Sequence, residues 1–413
     1  METAPISTNL ARIESLKVKN FRALKEVKLT DLTPLTVLLG PNGSGKSTVF
    51  DALAFLAECF DHGLRPAWDS RGRAKELKTR GVDGPVSIEI KYREQPKYPP
   101  ITYHLAADEQ QGRLIITDES LAWRRGSRGR PWRFLEFHRG EGSAASGESP
   151  EQQAQRPPLA LSSPDLLAVN ALGQFSDHPR VAALRQFIRS WYVSYLSLAG
   201  ARSQPAVGPE EHLSRSGDNL ANVVQYLQEQ HPDRLEHTLE ALRRSVPQLN
   251  DVWIAVMPDG RLLLQVKDAP FDNPVQARFV SDGTLKLLAY QVLLHDPAPP
   301  PFIGIEEPEN FLYPTLLAGL AEECRAAAER TQLLVTTHSP FFVDQLRPGE
   351  VWMLRRDASG FTQARRARDL PGVEQFLEDG GKLGQLWMEG HLGTGDPPIY
   401  PNWPTRPEQG RPH

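Results

Sequence analysis

Cysteine is scarce in this chain, with two residues, Cys59 and Cys324, among 413. Each lies in a helical pattern, so both are expected as small core hydrophobes in a reducing cytosol rather than as a disulfide framework or a metal site. Long apolar runs are missing. No stretch of 18 apolar residues occurs, and no charged-then-apolar start leads to a cleavage site. Neither a membrane span nor a secretion signal is therefore expected, and a cytoplasmic location is. Charge of one sign is not in excess. The 47 Lys and Arg against 51 Asp and Glu leave a net charge of −4, so any nucleic-acid contact has to come from a local patch. Sustained heptads and solenoid-type repeats are absent too, which excludes a long coiled coil and a repeat array. Proline and glycine, at 36 and 31 residues, are plentiful and point to a loop-rich insertion. The length leaves room for about two to three domains.

What is present begins with Leu35 to Thr48. Leu35, Val37, Leu38 and Leu39 read as a strand buried on both faces. Gly40 to Ser47 then fits G-x-x-x-x-G-K-[ST], the phosphate-binding loop. Gly40, Gly43 and Gly45 free the backbone to bring its N–H groups onto an anion, Lys46 reaches β- and γ-phosphates, and the Ser47 hydroxyl joins a Mg²⁺ shell. Asn42, Ser44 and Thr48 complete the expected nucleotide-binding set. Val49, Phe50, Leu53, Ala54, Leu56, Ala57 and Phe60 recur at helical spacing, which sets a helix N-terminus against the phosphates.

Before the loop, Arg12–Val18 and Val27–Leu32 alternate as strands around Asn20-Phe21-Arg22. Arg22 is close enough in sequence to reach the nucleotide, or is an ordinary exposed arginine. After it, Val86–Tyr92, Arg113–Ile116, Leu121–Trp123 and Trp132–Phe137 read as strands. Arg124, Arg125, Arg128, Arg130, Arg133 and Arg139 are interleaved with Trp123, Trp132, Phe134 and Phe137. This mixture suits single-stranded nucleic acid, and it suits still better a solvated hairpin tip whose rings pack inward. Residues 140–165 have the composition of a flexible linker. Helical patterns follow at Val181–Trp191 and twice within Asn219–Leu249. A strand is expected at Trp191–Leu198, and Pro258-Asp-Gly260 joins a hairpin.

Three further stretches carry chemistry. Val280-Ser-Asp-Gly-Thr-Leu285 opens a helical run, and Ser281 with Gly283 can serve as an anion surface or simply as an N-cap. Pro301 to Ile305 is an apolar strand ending in Glu306-Glu307-Pro308-Glu309. Hard carboxylate oxygens there suit Mg²⁺, and one of the pair can take a proton from attacking water. Gln332 to His338 is a strand that delivers a histidine to its end.

In this order the four stretches resemble ABC-type ATPases. Glu306-Glu-Pro-Glu-Asn310 with Tyr313-Pro314, Thr337-His-Ser-Pro340 and Asn20-Phe-Arg22 are similar to the soluble branch that includes SMC, RecF-like and OLD proteins, among the predicted ATPases of the AAA family. The resemblance implies an α/β P-loop fold with a mixed sheet and flanking helices, built from both ends of the chain, with an inserted α+β arm or lid. It implies domain boundaries at 1–94, 95–215 (the insertion), 216–350 and 351–413 (a tail). It implies ATP and Mg²⁺ as cofactors. The backbone from Gly43 to Thr48 and Lys46 hold the phosphates, Ser47 and Glu306 serve the metal, Glu307 polarises water, and His338 senses the γ-phosphate. Ser281 and Gly283 correspond to the signature that meets the partner subunit's nucleotide in an ATP-dependent homodimer. The chain departs from the pattern at Glu306, where aspartate is usual, at the signature, which reads Ser281-Asp-Gly-Thr284, and at Phe311, where relatives often have glycine. The glutamine loop has only Gln95 and Gln174 as candidates.

The expected function is an ATPase acting in DNA maintenance or in defence against foreign DNA, with DNA as a further partner. The alternative is a slow, nucleotide-gated scaffold that holds a separate nuclease or toxin effector in check. The motor of a membrane transporter fits poorly, given the divergent signature and the long insertion.

Overall fold

The computed structural model describes residues 11–123, 131–147 and 156–393. The chain divides into two compact units, one formed by Met1–Trp191 with Arg347–His413 and the other by Tyr192–Leu346.

In the first unit, eight strands form an antiparallel sheet. Their order is Leu24–Thr30, Arg12–Phe21, Val86–Arg93, Ile101–Gln110, Arg113–Trp123, Trp132–His138, Glu141–Ala144 and Pro158–Ala160. Val86–Arg93 alternates strictly between buried and half-exposed positions, as a strand with one face on a core must. The same unit contains Leu35–Leu39, buried at every position. It pairs in parallel with Val351–Arg356, which pairs antiparallel with Thr362–Arg366. The stretch beyond residue 350 thus supplies strands to this unit.

The helix Lys46–His62 is buried along nearly its whole length, the mark of a helix enclosed on most sides. Phe55 on it lies 5.8 Å from the ring of Phe21 and 6.3 Å from that of Trp68. Cys59 on this helix and Cys324 in the second unit are both fully buried. Their surroundings push both thiols up from their ordinary pKa, burial being the larger cause.

Glu119 is a fully buried carboxylate in this unit. It accepts from the backbone N–H groups of Ala168 (2.6 Å) and Val169 (3.0 Å) and from the Tyr103 hydroxyl (3.1 Å). Burial pushes its pKa up to about 7 against these three donors.

Several local expectations are revised. Arg113–Trp123 is one strand rather than two. Within the expected linker, Glu141–Ala144 and Pro158–Ala160 are strands. Arg139 and Gly140, both at positive φ, make a tight turn that returns the chain onto Trp132–His138, and ladder pairing there outweighs a loop-like composition. Of the arginine-rich hairpin, Arg124, Arg125, Arg128 and Arg130 lie outside the described residues. Trp123, Phe134 and Phe137 point inward and are buried. Trp132 is stacked by Arg156 at 4.4 Å, and Trp123 by Arg180 at 5.5 Å. The aromatic side chains are used within the fold.

In the second unit, Tyr192–Ser194, Phe302–Glu306 and Gln332–Thr337 run parallel. Leu249–Val256 and Leu262–Asp268 form the hairpin expected around Pro258-Asp-Gly260. Leu220–Gln230 and Pro232–Ser245 are the two amphipathic helices, and Asp282–Leu294 is buried from Leu285 onward.

Candidate functional site

The phosphate loop lies wholly in the first unit. Gly45 sits at φ +105°, and a Cβ there would fall 2.2 Å from Thr362 Oγ1, so glycine is required both for conformation and for space. A Cβ on Gly40 would fall 2.4 Å from the Leu354 carbonyl oxygen. Thr362 donates from Oγ1 to the Ser44 carbonyl at 2.9 Å, fastening the loop from a strand more than 300 residues away. The buried Lys46 donates from Nζ to Gly40 O at 2.7 Å and more weakly to Pro41 O at 3.3 Å. Asn42, Gly43 and Ser47 are exposed and Thr48 is half-buried.

Arg22 is drawn to this helix. It sits at φ +48°, with Asn20 at φ +54°, in the turn between the first two strands. Asn20 fixes the turn by donating from Nδ2 to Gly84 O (2.7 Å) and accepting from Thr79 N–H at Oδ1 (3.0 Å). The Arg22 guanidinium pairs with Asp51 at 2.9 Å, and Arg71 pairs with the same carboxylate and with Glu58. Asp51 is one helical turn beyond Ser47. That spacing was the available sequence signal, and Asp51 and Arg71 were both missed.

The second unit brings the acidic and histidine stretches together. Glu306 ends the strand Phe302–Glu306. Glu307 follows at φ +41°, its N–H donating to Thr336 O at 3.0 Å and Thr336 Oγ1 at 3.1 Å. Glu307 Oε2 accepts from Asn310 Nδ2 at 3.2 Å. His338 Nδ1 lies 3.7 Å from Glu307 Oε1 and 3.2 Å from Glu309 Oε1. Glu309, unassigned from the sequence, is the organising group. Its Oε1 also accepts from Thr337 Oγ1 (2.8 Å) and His338 N–H (2.7 Å). The only hint was its place in the Glu306 to Asn310 stretch.

Ser281 caps the helix Asp282–Leu294. Its Oγ accepts from Thr284 N–H at 3.2 Å and lies 2.8 Å from Thr284 Oγ1, while Asp282 pairs with Arg202. Gly283 packs against the acidic turn, since a Cβ there would lie 3.0 Å from Phe311 O. Lys286, buried on the same helix, donates from Nζ to Asn310 O at 2.8 Å. Burial lowers its pKa to about 8, opposed by the nearby Glu309 and Glu307. Of the glutamine-loop candidates, Gln174 donates to Asn170 O and Gln95 accepts from Tyr98 N–H through its backbone.

The residues fit a nucleoside triphosphate. The helix that starts at Lys46 has no N-cap side chain bonded to its first turn, and a helix N-terminus favours an anion. Space opens beside Gly43, and Ser44 Oγ is buried without a hydrogen-bond partner among the described residues. No cluster of three His, Cys, Asp or Glu side chains suited to a metal occurs among the described residues. Mg²⁺ needs no such cluster, since it is commonly bound by one or two carboxylates together with phosphate and water oxygens.

Two family models match the chain. One, described as an AAA ATPase domain, covers residues 12–124. The other, described as an AAA domain, putative AbiEii toxin, type IV TA system, covers residues 182–344. An OLD nuclease from Thermus scotoductus is 33% identical over 96 residues, 23% of this chain and 17% of that protein. The match thus spans a small part of that relative's length. Among solved structures, the SMC head bound to the C-winged helix domain of ScpA aligns with a TM-score of 0.54 at 14% identity, covering 86% of this chain and 96% of that one. At such identity the likeness is one of fold, a P-loop fold of the ABC-ATPase type. The SMC head domain from Thermotoga maritima aligns at 0.46, with 14% identity over 86% of this chain and 98% of that one, too low a score to carry an argument. No helix among the described residues is long and apolar enough to cross a membrane.

Proposed function

We propose, for a chain whose matched segments are similar to AAA ATPase domains and whose fold is of the ABC-ATPase type, that it binds Mg²⁺-ATP at the Gly40–Thr48 loop, hydrolyses it, and uses it to close a homodimer that acts on DNA in maintenance or defence. The loop carries the reading: three glycines, a buried lysine and an uncapped helix start offer donors and little else. Lys46 and the backbone of Gly43 to Thr48 hold the phosphates. Ser47 and Glu306 would hold Mg²⁺, which when bound neutralises phosphate charge. Glu307 accepts the proton of the attacking water, and His338, held by Glu309, faces the γ-phosphate. Ser281 and Gly283 present the signature to the partner's nucleotide, and Arg22 serves the nucleotide from beside the loop helix. ATP touching both copies favours the closed dimer, and hydrolysis removes that preference.

A second reading is a slow nucleotide-gated scaffold for a separate toxin or nuclease, favoured by the toxin–antitoxin description of the family matching residues 182–344. The deciding measurement is ATP turnover and mass, with and without DNA, for the wild type, Lys46→Ala and Glu307→Gln. The first reading expects turnover that DNA stimulates, a loss of at least about a hundredfold in both variants, and an ATP-dependent dimer in Glu307→Gln. Dimerisation with negligible turnover and no response to DNA selects the scaffold. A protein that binds no nucleotide sinks both.

A further inference from the structure

Lysine is almost never fully buried without a partner, and Lys286 is 6% exposed. Its ammonium lies over two rings, with Nζ 5.5 Å from the centroid of Tyr290 and 5.7 Å from that of Phe311. Among the described residues no carboxylate takes a hydrogen bond from it. Nζ instead donates to the Asn310 carbonyl at 2.8 Å and makes a long contact, 3.5 Å, with the Glu307 carbonyl. Both carbonyls belong to one turn, and that turn is strained. Glu307 at φ +41° and Phe311 at φ +68° are non-glycine residues in the left-handed region, a conformation that costs any side chain with a Cβ. Such conformations persist only when their surroundings over-determine them. Here the same helix grips the turn twice: at Gly283, whose missing side chain lets Phe311 O come close, and at Lys286, whose ammonium holds the two carbonyls.

We infer that Lys286 is a positioning residue that ties the helix opening at Ser281 to the strained turn carrying Glu307, so that the start of this helix and the Glu307 carboxylate move as one body. For the carboxylate's catalytic role the inference rests on the ATPase reading; for the coupling itself it does not. A contact made at Ser281 or Gly283 is thereby felt at Glu307 through a buried cation and one short segment of backbone. The ammonium is expensive to bury. A lysine kept only for stability would be better replaced by a hydrocarbon of similar shape, whereas one kept for aim makes the opposite trade.

The test compares full-length Lys286→Met and Lys286→Arg with the wild type. Amide hydrogen exchange across residues 307–312 is measured without nucleotide, together with melting temperature, kcat and KM for ATP. In Lys286→Met, exchange at 307–312 is expected to quicken by about tenfold or more while the rest of 192–346 stays within about twofold. Its melting temperature holds or rises, and kcat falls at least about tenfold with KM within about twofold. Arginine, which keeps the charge and the donors, restores most of the protection. Unchanged exchange at 307–312 overturns the inference, and so does a variant that loses activity only by melting earlier. A wild type without turnover whose exchange still responds to Lys286→Met removes the ATPase reading and leaves the positioning role standing.

Discussion

The phosphate loop and the acidic turn both present polar groups from left-handed backbone, by opposite means. In the loop the working groups are mostly backbone, and the conformation is bought with glycine: Gly43 and Gly45 take positive φ at no steric cost. In the acidic turn the working groups are side chains. The left-handed positions are filled by Glu307 and Phe311, and the strain is held by Thr336, Asn310, Glu309 and Lys286. A cradle of amides needs only a shape, so its residues can be small and featureless. A turn that must aim a carboxylate cannot be glycine where the carboxylate is attached, and its shape has to be imposed from outside.

The contrast can be broken first at the loop, where the largest effect is expected. Gly45→Ala would drive a Cβ into Thr362 Oγ1 at a φ of +105°. It is expected to abolish ATP binding by calorimetry and to destabilise the protein by about 2–4 kcal/mol, read by urea unfolding. An alanine variant with near-normal binding would mean that the cradle does not depend on its glycine. In the turn, Glu309→Ala leaves the Thr337 hydroxyl and His338 N–H without their acceptor. It is expected to lower kcat by about ten- to a hundredfold with nucleotide affinity nearly unchanged. Equal losses in binding and turnover would erase the division between a region that binds and a region that aims.

The smallest effect is in pH dependence. Lys286 has its pKa lowered to about 8 from 10.5, by burial against the pull of Glu309 and Glu307. Between those values the unfolded chain binds the extra proton and the folded one does not, so this group's contribution to folding stability rises with pH across the window. Turnover should move the other way, declining severalfold as the ammonium loses its charge near pH 8, whereas Lys286→Arg stays flat. Parallel profiles for the wild type and Lys286→Arg would assign the alkaline limb to another group.

At the arginine-rich hairpin the sequence left two readings open, a nucleic-acid platform and a tip whose rings pack inward. Alternation in a strand fits a buried face, and the fold buries Trp123, Phe134 and Phe137. The expected linker shows where sequence reasoning runs short. Glu141–Ala144 has no strong strand propensity and becomes a strand because a partner lies beside it.

The sequence by itself determined what is local: the loop Gly40 to Thr48 with its strand and helix, the caps at Ser281, the acid-tipped strand and the strand before His338. Each depends on backbone conformation and hydrogen bonds within a few residues, so spacing alone reveals it. Only the tertiary structure decided that Thr362 would fasten Ser44, that Asp51 and Arg71 would hold Arg22, that Glu309 would organise His338, and that Lys286 would grip the Glu307 turn. Each of these partners is an ordinary residue in its own segment. What gives it a role is desolvation against a group from elsewhere in the chain, and that becomes strong only once folding has removed water from between them.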